Sequence, residues 1–254
     1  MPGSVRKAQI RQRVWERLTR EGVALFPGAY GRTPRFRGQD RGIALLRDLP
    51  VWHAARRILV QPDLGLEQVR RQVLADGRTL IVPDLSRTEP GWILEVAPGE
   101  PLPAFGLGVP GRAAKETAAQ HYLRGSATAP VDLLIVGAVA VDRRGTRIGR
   151  GLGSADLVYA LGRDRGFVRP ETPVVVLVHP LQFFDEHTDR EPTDLPIDIV
   201  VTPAEVVAVQ AVVMRPKGLH PRMITPERLG RFPGLRRILE REGIDLPPGV
   251  VPQG

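Results

Sequence analysis

The 254-residue chain is 42% hydrophobic and 25% charged, enough to build one large α/β domain with a proper core, or such a domain with a tail. Its longest apolar run, residues 131–141, falls short of the roughly 18 residues a membrane span needs, and it has no cysteine for disulfides or thiolate chemistry. Net charge is +8, but residues 1–57 hold thirteen Arg or Lys against four Asp or Glu, so the remainder sums to −1.

The start, MPGSVRKAQIRQRVWERL, shows no apolar core followed by a cleavage site, so no signal peptide is read and a cytoplasmic location is expected. Val5, Ile10, Val14, Trp15 and Leu18 instead fall near helical spacing and predict an amphipathic helix over 5–20. The basic segment is either a solvated face or a surface for an anion such as a phosphate-rich small molecule. Aromatics are only 5%, too few to interleave with stacked bases, so nucleic acid is not an expected partner, and neither is a membrane. A Gly/Pro/Arg loop follows, then a helix from about Asp40 to Arg47 and a short one across VWHAAR.

RILVQP (57–62) and RTLIVPD (78–84) read as strands, joined by a helix LEQVRRQVLADG that stops at Gly77; together they predict a right-handed βαβ unit. Residues 86–112 are a Pro/Gly loop with one strand at WILEV. VDLLIVGAVAVD, TPVVVLVHP and IDIVVTPAEVVAV supply three more continuous apolar strands, as expected for a parallel sheet covered on both faces. After Pro216 one helical patch, LRRILERE, stands in a basic, proline-rich stretch. The expected architecture is a three-layer α/β/α sandwich over residues 1–212, with a C-terminal extension over 213–254.

Between the strand of residues 131–141 and the helix-like SADLVYAL stand three glycines at every second position, Gly149, Gly151 and Gly153. Glycine lets successive N–H groups converge on an anion without a Cβ in the way, and the helix N-terminus adds partial positive charge. Ser154 is the expected N-cap. No Lys-Ser/Thr follows as in a Walker loop, and the dinucleotide spacing is absent; a tight turn without ligand fits the same residues. His53, His121, His179, His187 and His220 lack metal-ligand spacing, so no zinc site is expected.

The run DLLIVGAVAVDRRGTRIGRGLGSAD resembles the signature of the 5-formyltetrahydrofolate cyclo-ligase (methenyltetrahydrofolate synthetase) family. Asp132, Gly137, Ala140, Asp142, Gly145, Arg147, Ile148, Gly149, Gly151, Gly153 and Asp156 fall on it in register. KAQIR is similar to the family's N-terminal K-x-x-L-R, Gly77 to Pro83 match a G-K-x-hydrophobic-P strand, and Asp194, Asp198 and Thr202 match its closing motif. The stretches VQPDLGLEQVRRQVLADGRTLIVP, TPVVVLVHPLQ and MRPKGLHP resemble the branch of methenyltetrahydrofolate synthetase domain-containing proteins.

The resemblance implies a mostly parallel sheet of NagB/RpiA/CoA-transferase type, and a reaction that uses MgATP to convert 5-formyltetrahydrofolate to 5,10-methenyltetrahydrofolate. The formyl oxygen is phosphorylated, N10 attacks the activated carbon, and phosphate leaves as the ring closes. Catalysis of this kind rests on holding a triphosphate, stabilising moving charge and aligning two reactants. By resemblance Gly149, Gly151, Gly153 and Ser154 hold phosphates, and Lys7, Arg11 and Arg147 supply cationic charge. Asp156 stands near Mg2+, and Asp63 or Glu67 faces the reduced folate. Each also has a structural reading: Lys7 and Arg11 as a wet helix face, Arg147 as partner of Asp142 or Asp156, Asp156 as a first-turn helix acid, and Asp194 and Asp198 as turn and strand-start residues.

The chain departs from the family beside Asp156. Where the family has an aromatic residue before this aspartate and a basic one after it, the chain has Ala155 and Leu157, and Leu152 stands where glycine is frequent. Three functions therefore remain open: an ATP-dependent ligase, a non-catalytic or differently active binding protein that keeps the nucleotide or folate pocket, and an unrelated enzyme on the same fold. Tyr159 or Arg150 could supply the missing ring and charge.

Overall fold

The computed structural model describes residues 2–86, 92–102, 129–185, 188, 190–209, 214–241, 243 and 244. His121, His187 and most of the 86–112 loop lie outside the described residues. Seven strands form one sheet in the order β3-β2-β1-β4-β7-β8-β9: β1 (Arg57–Val60), β2 (Thr79–Pro83), β3 (Ile93–Val96), β4 (Leu133–Ile135), β7 (Val174–Leu177), β8 (Ile199–Val201) and β9 (Val206–Ala208). The central five are parallel, and β3 and β9 are antiparallel edges. A separate hairpin joins β5 (Ala140–Val141) to β6 (Arg147–Ile148).

Strand side chains alternate between two cores, because successive residues of a pleated strand face opposite ways. Leu59, Ile81, Leu134, Val174, Val176 and Val200 enter one core; Ile58, Val60, Leu80, Val82, Leu133, Ile135, Val175 and Leu177 enter the other. The second core is covered by α2 (Gln39–Arg47), α3 (Pro50–Ala54) and α4 (Glu67–Ala75). The first is covered by α5 (Ser154–Asp164) and by Met223, Leu229, Leu235, Ile238 and Leu239. Those last residues come from 221–241, which includes α6 (Pro226–Arg231) and α7 (Pro233–Arg241). This is a three-layer α/β/α arrangement. Helix α1 (Pro2–Arg20) seals the β5–β6 hairpin through Ile10, Val14 and Leu18.

The βαβ unit β1–α4–β2 forms as expected, with Gly77 at φ +70 ending α4 and Arg78 N–H returning to the Val73 carbonyl. Two strand readings need correction. VDLLIVGAVAVD is no single strand: after β4 the carbonyls of Ala138 and Val139 are taken by Gln182 Nε2 at 3.0 and 3.1 Å, and the chain turns into the hairpin. IDIVVTPAEVVAV folds back on itself as β8 and β9, where Thr202 Oγ1 accepts the N–H groups of Ala204 and Glu205.

Candidate functional site

In an open α/β sheet, ligands bind beyond the carboxyl ends of strands, where the winding order reverses. Here β2 lies to one side of β1, and β4, β7 and β8 follow on the other, so the reversal falls between β1 and β4. Asp63 follows β1 and Gly137 follows β4. A Cβ on Gly137 would stand 2.6 Å from Asp63 Oδ2, so only glycine leaves room for the carboxylate to lie across β4.

Three neighbours fix Asp63. Thr33 Oγ1 donates to its Oδ1 at 2.9 Å, and Arg150 Nε stands 3.3 Å from the same oxygen. Arg70, fully buried on α4, donates from Nη1 to the carbonyls of Gln61 (2.7 Å) and Asp63 (2.9 Å). Burial pushes the Arg70 guanidinium down to about 10, opposed by the charges of Asp63 and Glu67, so it stays a cation at neutral pH. Glu67 itself turns away to Arg71, 3.1 Å off on α4, and does not line the cleft.

The glycine loop forms the floor of the cleft. Asp142 Oδ1 accepts the N–H groups of Arg144 (2.9 Å) and Thr146 (2.7 Å), which turns the hairpin and delivers Arg147. Gly151 (φ +104) and Gly153 (φ +68) occupy the left-handed region that side chains resist. Gly153, not Ser154, is the N-cap of α5, and Ser154 is its first helical residue. No side chain caps this helix, so its first N–H groups are not taken up by a side-chain cap.

Charged groups converge over this floor: Lys7, Arg11, Arg147, Arg150 and Arg228 line it, against Asp63, Asp156, Glu191 and Asp194. Three pairs are made. Lys7 Nζ donates to Asp194 Oδ2 at 2.5 Å, Arg147 Nη2 to Asp156 Oδ1 at 2.5 Å, and Arg150 faces Asp63. Arg11 has no carboxylate partner among the described residues; its Nε donates to the Gly149 carbonyl at 2.9 Å, and burial lowers its affinity for the proton.

The structure thus brings together Lys7, Arg11, Asp63, Arg147, Gly149, Gly151, Gly153, Ser154 and Asp156. Asp198 lies elsewhere: it accepts Val174 N–H at 2.7 Å and pairs with Arg215. Tyr159 is fully buried on α5 and supplies no ring to the cleft, and Leu157 is fully buried beside it. Arg150 does reach the cleft. Thr33, Arg70 and Arg228 carried no local signal in the sequence, since each acts on a residue distant along the chain or through its backbone.

A family model described as the 5-formyltetrahydrofolate cyclo-ligase family matches residues 4–203. The chain belongs to this family. It is 33% identical over 243 residues to the methenyltetrahydrofolate synthase domain-containing protein of Mus musculus, covering 94% of this chain and 64% of that protein. The Homo sapiens protein of the same name is also 33% identical, with 94% and 62% covered. The chain thus spans a little under two thirds of these relatives' length. The fold matches the solution structure of Aquifex aeolicus 5,10-methenyltetrahydrofolate synthetase at TM-score 0.52 and 22% identity, over 82% of this chain and 94% of that one. Among the described residues no helix is long and apolar enough to cross a membrane.

The residues of the cleft fit a nucleoside triphosphate. The glycine loop lines the cleft with the Arg11 guanidinium lying 3.4 Å from where a Cβ on Gly151 would stand, and cations outnumber acids by one. They also fit a phosphate-held Mg2+. No group of three His, Asp or Glu forms a metal cage among the described residues. Asp156 Oδ1 takes Arg147 and Leu195 N–H, while its Oδ2 has no hydrogen bond among them, leaving one carboxylate oxygen for an ion carried on phosphates.

Proposed function

We propose that this chain is a cytoplasmic, MgATP-dependent 5-formyltetrahydrofolate cyclo-ligase. One observation carries the reading: a capless helix N-terminus and a three-glycine loop at the sheet's reversal point, ringed by Lys7, Arg11, Arg147 and Arg150. Bound MgATP would supply the phosphoryl group that activates the formyl oxygen. The loop N–H groups and Arg11 hold the phosphates, and Arg147 orients Asp156 so that its free oxygen faces the ion. Asp63, held by Thr33, Arg70 and Arg150, receives donor groups of the reduced folate. The cleft is contiguous there with one lined by Phe26, Pro27, Pro62 and Leu64 together with Arg32 and Arg35, an apolar wall for a flat ring beside cations for an acidic tail.

A second reading, binding without ring closure, draws on Ala155 and Leu157. The small residue brings no ring, and the buried leucine no charge. An assay of the 5,10-methenyl product with purified protein, MgATP and 5-formyltetrahydrofolate separates the two. ATP-dependent product that falls at least about 100-fold in Arg147→Ala supports the ligase. Saturable ATP binding without product leaves the binding protein.

A further inference from the structure

The fifth cation of the cleft comes from outside the family-matched segment. Arg228 sits on α6, 25 residues beyond the end of that segment at 203. The mouse relative's match covers 94% of 254 residues, leaving about 15 unmatched, fewer than the 26 beyond Arg228, so the segment is shared with that branch.

The placement of Arg228 is built. Thr225 Oγ1 caps α6 by accepting Arg228 N–H at 3.2 Å, and Met223, Ile224 and Leu229 are buried in the core on either side. Arg228 Nη1 donates to the Met223 carbonyl at 3.1 Å, which uses one of five donors. The rest of the guanidinium lies against Gly153: a Cβ there would stand 2.8 Å from Arg228 Cζ and 3.0 Å from Nε. Among the described residues Arg228 has no carboxylate partner, a state it shares in this cleft only with Arg11. Arg11 lies over Gly151 and Arg228 over Gly153, so two guanidinium groups without a counter-charge stand over the same loop, one from the first helix and one from α6.

We infer that Arg228 is a phosphate-binding residue of the glycine loop, the cation that the C-terminal extension contributes where α5 carries the buried Leu157. The inference rests on the reading of the loop as a polyphosphate site. Two of its remaining N–H groups can grip one phosphate oxygen pair in a fork, which a lysine cannot do.

The test uses the full chain and two probes, inorganic tripolyphosphate and MgATP, titrated by calorimetry into wild type, Arg228→Gln, Arg228→Lys and Arg222→Gln. Arg222 is exposed on the same extension and does not line the cleft. Melting curves establish that each variant is folded, and Arg228→Lys keeps stem and charge should the glutamine disturb packing. Loss of about ten- to a hundredfold in affinity for both probes in Arg228→Gln, partial loss in Arg228→Lys and none in Arg222→Gln supports the inference. Tripolyphosphate binding that depends on Arg228 without ATP binding keeps the inference and removes the nucleotide reading. Equal ATP affinity in wild type and Arg228→Gln overturns the inference and leaves that reading intact. If neither probe binds the wild type, both fall.

Discussion

Arg147 and Asp156 provide the sharpest separation of structural from functional charge. Their side chains are 5% and 12% exposed, and the pair is 2.5 Å long. Removing one member of a buried pair costs about 3–5 kcal/mol, mostly because the other charge is left uncompensated. Asp156 keeps the Leu195 N–H at 2.9 Å and some access to the cleft, so about 3 kcal/mol is expected for Arg147→Met. Asp156→Asn leaves Arg147 buried without its counter-charge, at a similar cost. The double variant carries neither stranded charge, so its loss should fall short of the sum by about 1–3 kcal/mol. Urea unfolding of the four proteins at neutral pH gives this coupling directly. ATP affinity, titrated alongside, should not recover in the double variant, because under the proposed function both groups also serve the ligand. Stabilities that add to within about 0.5 kcal/mol would refute the pairing, and recovery of affinity would refute its role in the cleft.

Three further outcomes are expected. Gly151→Ala puts a side chain at φ +104 and against the Arg11 guanidinium; ATP affinity measured by calorimetry should drop more than about tenfold, with backbone strain of about 1–3 kcal/mol in the melt. Unchanged affinity would remove the loop as a phosphate cradle. Asp63→Asn should raise KM for the folate by about tenfold or more and leave KM for ATP nearly unchanged, as steady-state rates with each substrate varied will show; a parallel rise in both makes Asp63 merely the partner of Arg150. For Asp76, burial pushes the carboxyl up, but donors from Arg47, Gln72 and Trp52 outweigh it and hold the group below its ordinary value of 3.8. A depressed folded value adds stability that is complete above the unfolded pKa and is lost as pH falls through the folded one. Urea midpoints should therefore fall more steeply on acidification below about pH 4 in wild type than in Asp76→Asn; identical slopes would contradict this.

What the sequence made legible was local. Continuous apolar runs identified the parallel sheet, and glycines at every second position identified the loop, since both patterns reflect constraints on neighbouring residues. The same runs misled where tertiary contacts intervened. Gln182 takes the carbonyls of Ala138 and Val139 and ends a run that looks unbroken in sequence, and the Thr202 turn splits another. Acids were the hardest to read. Asp132 accepts the N–H groups of Arg56 and Arg57, Asp142 ties a turn and Asp198 holds β7, while Asp63 and Asp156 face the cleft. A carboxylate that satisfies backbone donors and one that faces a ligand look alike in sequence. Thr33 reaches Asp63 across 30 residues, and only the fold brings them together.

The departure beside Asp156 and the C-terminal extension are two sides of one arrangement. Leu157 is fully buried in the same core as Leu229, Leu235, Ile238 and Leu239 of the extension. A lysine or arginine at 157 would have to leave its charge in that core without a partner, which costs several kcal/mol. Burial of position 157 in that shared core therefore makes a basic side chain there untenable. Residues 221–241 also carry α6, which brings Arg228 against Gly153, the last glycine of the loop. One of the five cations lining the cleft, Arg228, thus depends on the folding of residues 221–241, as Lys7 and Arg11 depend on α1.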